Sequence, residues 1–420
     1  MLLELPDHLL LSVCLAGLSG RDLASLECTA RQFRRRTAPA AQPLPQRAAL
    51  QLFEQRSDNW RVRRRSGESW ACALHVLEHR LRPLPAVDAA HGRTLVCSAG
   101  GDLFEIDMAR FSDCGPRQLE IDDGDEDGSS VLAEGSRALC VATSPRNGSH
   151  HYNAALTGEG LWTWGAEAWQ GQFPHASSVA DIAAGNNQFA YISATGELFC
   201  WRPSRPGQGP QVVTALASER VVNVSCSALG APSPWGSGEQ CVAWLAVMQS
   251  GQVAIGTERS STWAAGTGDA WDPRELEDPD ALAHEAYEQS GGTHHQWLSI
   301  QWVEFPLLAV GHHPKLRQVS CSVNHFAAVG RDGTLYTWGS GACGKLGHGN
   351  EVAYASPRVV ETFISAAPTR VGRRSIHAET VSCGQAHTAV VSRTGELYTW
   401  GWGSNGQLGL GTSDGLEVRD

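Results

Sequence analysis

Cysteine and histidine are the residues here whose side chains could bind a metal ion or act as nucleophiles. The chain contains 12 cysteines and 16 histidines. The cysteines occur singly, without the CxxC pair typical of zinc sites and thioredoxin-like motifs. His294 with His295, and His312 with His313, are adjacent pairs, and adjacent residues on a strand point to opposite faces. Because no third ligand stands at useful spacing, we expect no bound metal and no cofactor.

Motifs for covalent or phosphate chemistry are also missing from the sequence. There is no P-loop, no HExxH and no GxSxG nucleophile elbow. His325 and His387 recur at equivalent places in a repeat, which suits a structural hydrogen bond better than catalysis. We therefore expect a binding protein and not an enzyme, with no catalytic residues.

The charge balance and the cysteine pattern limit the partners and the compartment. The net charge of -11 makes nucleic acid an unlikely partner, and basic runs such as Arg63 to Arg65 favour solvated surface. Single cysteines favour a reducing compartment, so we expect the cytoplasm or the nucleus. No window reaches the ~18 apolar residues of a membrane span, so we expect no membrane partner.

An internal repeat organises most of the sequence. "VSCSVNHFAAVGRDGTLYTWG" begins at Val319, and "VSCGQAHTAVVSRTGELYTWG" begins at Val381. Weaker copies keep the same frame at Val87 to Gly101, around "GLWTWG", at Ile182 to Gly196 and at Val224 to Gly251, which makes six units. The residues expected to hold this repeat together are Gly101, Trp164, Gly196, Trp201, His325, Gly333, Trp338, His387, Gly395 and Trp400.

Each unit predicts two short strands joined by a tight turn. "HTAVVS" alternates as a half-buried strand does, "RTGE" and "RDGT" are turns with glycine at positive φ, and "LYTW" is aromatic and β-branched. Two such strands cannot bury an apolar face alone, so the units must stack or close into a ring.

These motifs, with the following "GQLGLG", resemble the repeat of the regulator of chromosome condensation family. The resemblance implies a mainly β fold, a β-propeller over residues 86–420, normally with seven blades of four strands. Because six units are found, the propeller could have six or seven blades. The sequence does not decide how the ring closes or whether the sequence is truncated. The acidic, turn-rich residues 257–298 are interpreted as an inserted loop.

The first 85 residues are helical in pattern and end at Pro83 and Pro85. "LPDHLLLSV" and "LSGRDLASLECTARQFRR" resemble an F-box, the small α-helical module by which ubiquitin-ligase receptors bind a Skp-type adaptor. The resemblance assigns residues 1–38 to this module and residues 39–85 to a helical linker or cap. The implied adaptor-binding residues are Leu5, Pro6, Leu9, Leu10, Val13, Leu18, Leu23, Leu26 and Phe33.

Together the two resemblances imply a substrate-receptor subunit of a Skp–cullin–F-box ubiquitin ligase. Its partners would be a Skp-type adaptor, a cullin and an unknown client protein on the propeller. The alternative is a propeller scaffold, or a guanine nucleotide exchange factor for a small GTPase, with the N-terminal helices as a cap. The plant ultraviolet-B photoreceptor shares the implied fold, but its "GWRHT" motif is replaced here by "GQAHT" and "SVNHF". The sequence identifies neither the client nor the propeller face that binds it.

Overall fold

The computed structural model describes a helical N-terminal region followed by a succession of small antiparallel sheets. The described residues are 15, 18–29, 43–56, 62–79, 87–90, 93–98, 101–107, 117–119, 138–143, 152–157, 160–165, 171–173, 179–185, 188–201, 210–232, 240–259, 297–308, 311–322, 324–363, 376–404 and 406–409. Within these ranges three helices precede the sheets: α1 (Gly20–Thr29), α2 (Leu44–Glu54) and α3 (Trp70–His79).

The sheets form six blades in which each strand pairs with its sequence neighbour. Blades 1 to 3 comprise β1 (Val87–Ala90), β2 (Arg93–Cys97), β3 (Leu103–Asp107), β4 (Arg117–Leu119); β5 (Ala138–Thr143), β6 (Tyr152–Thr157), β7 (Gly160–Gly165), β8 (Gly171–Phe173); β9 (Val179–Gly185), β10 (Gln188–Ser193), β11 (Leu198–Trp201) and β12 (Gln211–Val212). Blades 4 to 6 comprise β13 (Val221–Pro232), β14 (Gln240–Met248), β15 (Val253–Arg259), β16 (Trp297–Trp302); β17 (Leu316–Cys321), β18 (His325–Gly330), β19 (Leu335–Gly339), β20 (Tyr354–Val359); β21 (Ala378–Cys383), β22 (His387–Ser392) and β23 (Leu397–Gly401).

The predicted strand–turn–strand unit forms the second and third strands of a blade. In blade 5, Phe326 pairs with Trp338 and Val329 pairs with Leu335 across β18 and β19. Gly333, in the turn between them, has φ +92°, a conformation that a residue with a side chain adopts only with strain. The equivalent turn glycines of the other blades that the structure describes also have positive φ: Gly101, Gly160, Gly196, Gly251 and Gly395.

Consecutive blades pack through apolar clusters and through hydrogen bonds between their first strands. Five clusters join blade 1 to 2, 2 to 3, 3 to 4, 4 to 5 and 5 to 6. Ser225 Oγ accepts the backbone N–H of Cys321 at 3.0 Å, and Ser320 Oγ accepts that of Cys383 at 2.9 Å. A serine in the first strand of one blade thus fixes the first strand of the next, which supports a six-bladed β-propeller with RCC-type repeats.

Two sequence predictions differ in detail from the structure. The insertion predicted at residues 257–298 lies between β15 and β16, but β15 extends to Arg259 and β16 starts at Trp297. The helical linker or cap predicted at residues 39–85 contains a non-helical stretch at residues 62–69. Arg63 and Arg65 in this stretch donate hydrogen bonds to the propeller residues Ala194 and Thr195. The stretch is therefore held by contacts with the propeller instead of by helical hydrogen bonds.

Candidate protein-interaction surfaces

The three helices form a bundle whose packing depends on a close approach of α1 to α3. A Cβ on Gly20 would lie 2.5 Å from His75 N and 2.6 Å from Ala71 O, so only glycine fits there. The Gly20 N–H donates to Glu78 Oε2 at 2.9 Å. Ser19 Oγ accepts the Asp22 N–H at 3.3 Å while Asp22 Oδ2 accepts the Ser19 N–H at 3.2 Å, a reciprocal capping arrangement that starts α1.

Three of the predicted adaptor-binding residues can be placed in this bundle. Leu23 is completely buried, and Leu18 and Leu26 are half-buried against the same apolar cluster. Leu23 therefore belongs to the core of the bundle, whereas Leu18 and Leu26 keep part of their surface accessible. The other predicted positions lie outside the described residues: Leu5, Pro6, Leu9, Leu10, Val13 and Phe33.

Residues 62–72, which we call the docking segment, attach the helices to blades 3 and 4. The Arg63 N–H donates to Ala194 O at 2.7 Å. The side chain of Arg220 is buried and donates to Ala194 O at 2.8 Å, to Arg63 O at 2.9 Å and to Glu68 Oε2 at 2.7 Å. Only 3% of the Arg220 side chain and 10% of the Glu68 side chain are exposed, so this ion pair is shielded from solvent.

Further contacts surround this ion pair. Arg65 Nε donates to Thr195 O at 2.5 Å, and Gln249 Nε2 donates to Cys72 Sγ at 3.1 Å. Burial, together with the nearby charge of Arg220, lowers the pKa of Arg65, and burial raises the pKa of the Cys72 thiol. Arg63 and Arg64 are exposed, but Arg65 is half-buried, so the basic run predicted to be solvated is partly docked on the propeller.

No sequence pattern indicated Arg220 as the residue that joins the two regions. It lies in a short segment before β13, and its partners are backbone oxygens and a glutamate more than 150 positions away. The apolar cluster that includes Leu74 and Val76 of α3 continues into blade 4 through Val247 and Ile255. The helices therefore lie on the side of the propeller formed by the turns between second and third strands, which we call the turn face.

His325, one of the predicted repeat residues, connects blade 5 to blade 6. Its Nε2 lies 2.9 Å from Thr388 Oγ1, and the Thr388 hydroxyl donates its hydrogen to Lys345 O at 2.7 Å. Nε2 must then be the N–H donor of a neutral ring. Burial lowers the pKa of His325 well below its ordinary value, and the charges of Lys345 and His387 act in the same direction. These hydrogen bonds hold blades 5 and 6 together, and they leave no open site for a substrate.

Three of the four predicted repeat tryptophans pack against aromatic rings of their own or the preceding blade. Trp338 is fully buried beside Phe305 and Phe326, with ring centroids 5.8 and 5.6 Å away. Trp400 lies 6.1 Å from the ring of Phe363, and its indole N–H donates to Lys345 O at 2.9 Å. In blade 3, Trp201 stacks on Phe189 at 4.8 Å. Trp164 of blade 2 is half-buried in the cluster shared with blade 1.

The opposite side of the propeller, the loop face, carries the glycine-rich connections after the third strands. In blade 5 this connection and the adjoining strand β20 hold a polar cluster: Arg358 lies 4.7 Å above the ring of Tyr354 and donates to its hydroxyl at 2.6 Å. His348 packs edge-on to Tyr354, with ring centroids 5.2 Å apart. Burial, and then the charge of Arg358, lowers the pKa of His348. These groups are partly exposed and suited to contact with a protein partner.

Within the described ranges, no three histidine, cysteine, aspartate or glutamate side chains come together in a way that could hold a metal ion. His312 and His313 are exposed, and His294 and His295 lie outside the described residues. The described helices include none with the length and apolar character needed to cross a membrane.

Comparison with known proteins assigns the repeat. The model described as "Regulator of chromosome condensation (RCC1) repeat" matches residues 332–391, and a second model of the same description matches residues 316–345 and 379–407. These ranges fall in blades 5 and 6, where the sequence repeat is clearest.

The curated relatives match this chain over part of their length. Human E3 ubiquitin-protein ligase HERC2 is 26% identical over 245 residues, which are 57% of this chain but 4% of HERC2. Arabidopsis thaliana ultraviolet-B receptor UVR8 is 31% identical over 140 residues, which cover 30% of this chain and 29% of UVR8. The matches thus span a minor part of these curated relatives.

Among solved structures, Prp20p from Saccharomyces cerevisiae aligns with 79% of this chain and 75% of its own, at 14% identity and a TM-score of 0.49. The family matches and the observed sheets together show that this chain carries regulator of chromosome condensation (RCC1) repeats within a six-bladed β-propeller.

Proposed function

We propose that this protein is the substrate-receptor subunit of a Skp–cullin–F-box ubiquitin ligase. In this role its N-terminal helices bind a Skp-type adaptor and its propeller binds a client protein. The observation that carries the proposal is the docking segment, which fixes the helices to blades 3 and 4 through the shielded Arg220–Glu68 ion pair. A receptor needs such a fixed link, because it contributes proximity between the client and a ubiquitin-charged enzyme.

The relatives support a connection with ubiquitin transfer. HERC2 is an E3 ubiquitin-protein ligase, and so is a Dictyostelium discoideum kinase/ligase that is 35% identical over 97 residues. In both, the matched region is 5% or less of the protein, so the propeller is one part of a longer ligase chain. In the protein described here, the adaptor-binding helices would recruit the ligase machinery as separate subunits.

The burial of the F-box positions divides their roles within this proposal. Leu23 stabilises the bundle core, while the accessible parts of Leu18 and Leu26 would contact the adaptor. Leu9 and Leu10 are assigned to the adaptor surface by the F-box resemblance alone. Phe33 is likewise proposed to contact the adaptor.

The position of the helices also indicates the client-binding face. The docking segment and the helices cover the turn face over blades 3 and 4. We therefore assign the client to the loop face, where His348, Tyr354 and Arg358 form a partly exposed cluster. This arrangement would let the adaptor and the client bind at the same time.

Co-purification of the full chain with a Skp-type adaptor tests the proposal. The wild-type chain should form a 1:1 complex, and the double variant Leu9→Asp, Leu10→Asp should form none. Val352→Asp is the matched control, because Val352 is a 54% exposed aliphatic residue of the loop face, far from the helices. A well-folded wild-type chain that forms no complex would show that the helices are not an adaptor-binding module.

One observation favours the alternative of a propeller scaffold or exchange factor: α3 shares an apolar cluster with blade 4, as a cap would. Nucleotide release from a Ran-like GTPase, followed with a fluorescent guanine nucleotide, separates this alternative from the receptor. Acceleration by the wild-type chain together with failure to bind the adaptor would favour the exchange factor. The receptor proposal expects adaptor binding without acceleration.

A further inference from the structure

The docking segment contains a serine that neither the packing nor the proposed function uses. Ser66 is exposed and lies in the turn between Arg65 and Glu68. The Glu68 N–H donates to Arg65 O at 3.2 Å and closes this turn, and Gly67 follows Ser66 with φ +78°. Nothing lies within 4 Å of a Cβ built on Gly67, so the tip of the turn faces open space. The Ser66 hydroxyl is therefore accessible to another molecule.

Three arginines directly precede this hydroxyl in the sequence. Arg63 and Arg64 stand three and two positions before Ser66, and both are exposed. The charge pattern around the acceptor contributes to the specificity of protein kinases, and a kinase with an acidic substrate groove attracts arginines beside the acceptor. An exposed hydroxyl that follows two exposed arginines fits a kinase of this kind.

A negative charge at Ser66 would act on the ion pair that holds the docking segment. Glu68 Oε2 accepts the Arg65 N–H at 2.9 Å and a hydrogen from Arg220 Nη2 at 2.7 Å. The Glu68 side chain is only 10% exposed, so solvent ions screen its charge weakly. A phosphoryl group two residues before Glu68 would repel this carboxylate and weaken its pairing with Arg220.

The side chain of Arg65 would respond in the same direction. Its Nε donates to Thr195 O at 2.5 Å, and its Nη2 donates to Glu219 O at 3.4 Å. Both acceptors are neutral backbone oxygens of the propeller, whereas a hydrogen bond from arginine to a phosphate oxygen is charge-assisted and about twice as strong. A phosphoryl group on the adjacent residue would therefore compete for Arg65 and draw it away from blade 3.

We propose that Ser66 is a phosphorylation site, and that its phosphorylation loosens the docking segment from blades 3 and 4. In the reaction Ser66 Oγ attacks the γ-phosphorus of ATP. The new oxygen–phosphorus bond forms as the bond from that phosphorus to the β,γ-bridging oxygen breaks, ADP leaves, and the hydroxyl proton passes to the base of the kinase. The product carries a charge of about −1.5 to −2 at pH 7, placed between Arg65 and Glu68.

Loosening the docking segment would change what the helices can do. Helices that are no longer fixed to blades 3 and 4 can change their angle to the propeller, so the distance between adaptor and client is no longer set. Phosphorylation would then reduce the proximity on which ubiquitin transfer depends. This consequence rests on the proposed receptor function, whereas the modification and the release of the segment do not.

Phosphorylation of the full chain in vitro tests the site. The probe is a purified serine/threonine kinase that selects arginine two and three positions before its acceptor, with magnesium and ATP. Thr37 follows Arg34, Arg35 and Arg36 with the same spacing and lies outside the described residues, so the Thr37→Ala chain isolates Ser66. Mass spectrometry should locate one phosphate per chain at Ser66. A Ser66 that stays unmodified would overturn the proposal, and phosphate on Thr37 of the wild-type chain would show that the kinase was active.

Hydrogen–deuterium exchange measures the release of the segment. In the phosphorylated Thr37→Ala chain, residues 62–72 should exchange about tenfold faster than before the reaction, as expected for the loss of one hydrogen bond to a charged group. Strands β17 to β19 of blade 5 should exchange as before. Unchanged exchange in the docking segment with Ser66 phosphorylated would overturn the release.

The matched control is the Ser66→Ala chain treated with the same kinase, in which the docking segment should exchange as in the untreated chain. Faster exchange there as well would overturn the role of Ser66, because another modified residue would then cause the release. Neither measurement includes the adaptor, so a failure of this proposal is distinguishable from a failure of the receptor function.

Discussion

Blades 5 and 6 share the residues that define the repeat at a constant offset of 62 positions, yet they differ in burial. Leu335, Tyr336 and Trp338 of β19 are each 0% exposed. In β23 the same "LYTW" residues are exposed at Leu397 and half-buried at Trp400. Blade 5 has β20 on its outer edge and blade 6 beside it, whereas no described strand pairs with the outer edge of β23. Burial in this repeat is thus set by the neighbouring elements and not by the residue types alone.

Removing the repeat tryptophan should show the largest difference between the two blades. We expect Trp338→Ala to lower the free energy of unfolding by about 3–5 kcal/mol, because it leaves a cavity among fully buried rings. Trp400→Ala should lower it by roughly a third as much, because that ring is already part-exposed. Urea denaturation followed by circular dichroism measures both. Equal losses would mean that blade 6 is as closely covered in solution as blade 5.

Truncating the leucine that faces the next blade gives the second comparison. Leu335→Ala should lower the free energy of unfolding by about 2–5 kcal/mol, whereas Leu397→Ala should change it by no more than about 0.5 kcal/mol, because that side chain is 67% exposed. Urea denaturation followed by circular dichroism checks both values. A large loss for Leu397→Ala would show that this side chain is covered in solution.

Acid should weaken the contact between the two blades through His325. Burial keeps its pKa in the folded state below the value near 6.5 that it has when unfolded. The unfolded chain therefore binds more protons below pH 6.5, and the stability present above that pH falls as the pH decreases. His325→Gln should show a shallower decline between pH 7.5 and 5 in urea titrations, and an unchanged slope would contradict the assignment.

Substituting the turn glycines Gly333 and Gly395 should show the smallest difference between the two blades. Gly333 and Gly395 both have positive φ, so Gly395→Ala should lower the free energy of unfolding by about 1 kcal/mol. Gly333→Ala should cost more, because its Cβ would also lie 2.7 Å from His377 Cβ, whereas nothing lies within 4 Å of a Cβ on Gly395. Paired unfolding curves decide the order, and equal costs would mean that His377 moves aside freely.

The comparison of blades also shows what the sequence predicts and what it does not. A repeat unit carries its own strand periodicity and turn glycine, so six units and positions such as Gly333 and Trp338 follow from local pattern. Arg220 could not be found this way, because its role depends on backbone oxygens of Ala194 and Arg63, which only the folded chain brings together. The exposure of Leu397 could not be predicted either, because its sequence context matches that of the buried Leu335.

The junction of β15 and β16 determines where this protein can change length. Glu258 pairs with Trp297, so the two ends of residues 260–296 are held side by side by sheet hydrogen bonds. The entropy cost of closing a connection between fixed ends grows only with the logarithm of its length, by about 0.6 kcal/mol for each doubling. Blade 4 can therefore accept longer, shorter or foreign sequence at this point with little penalty, which makes the junction a natural place for grafting a tag or a reporter domain.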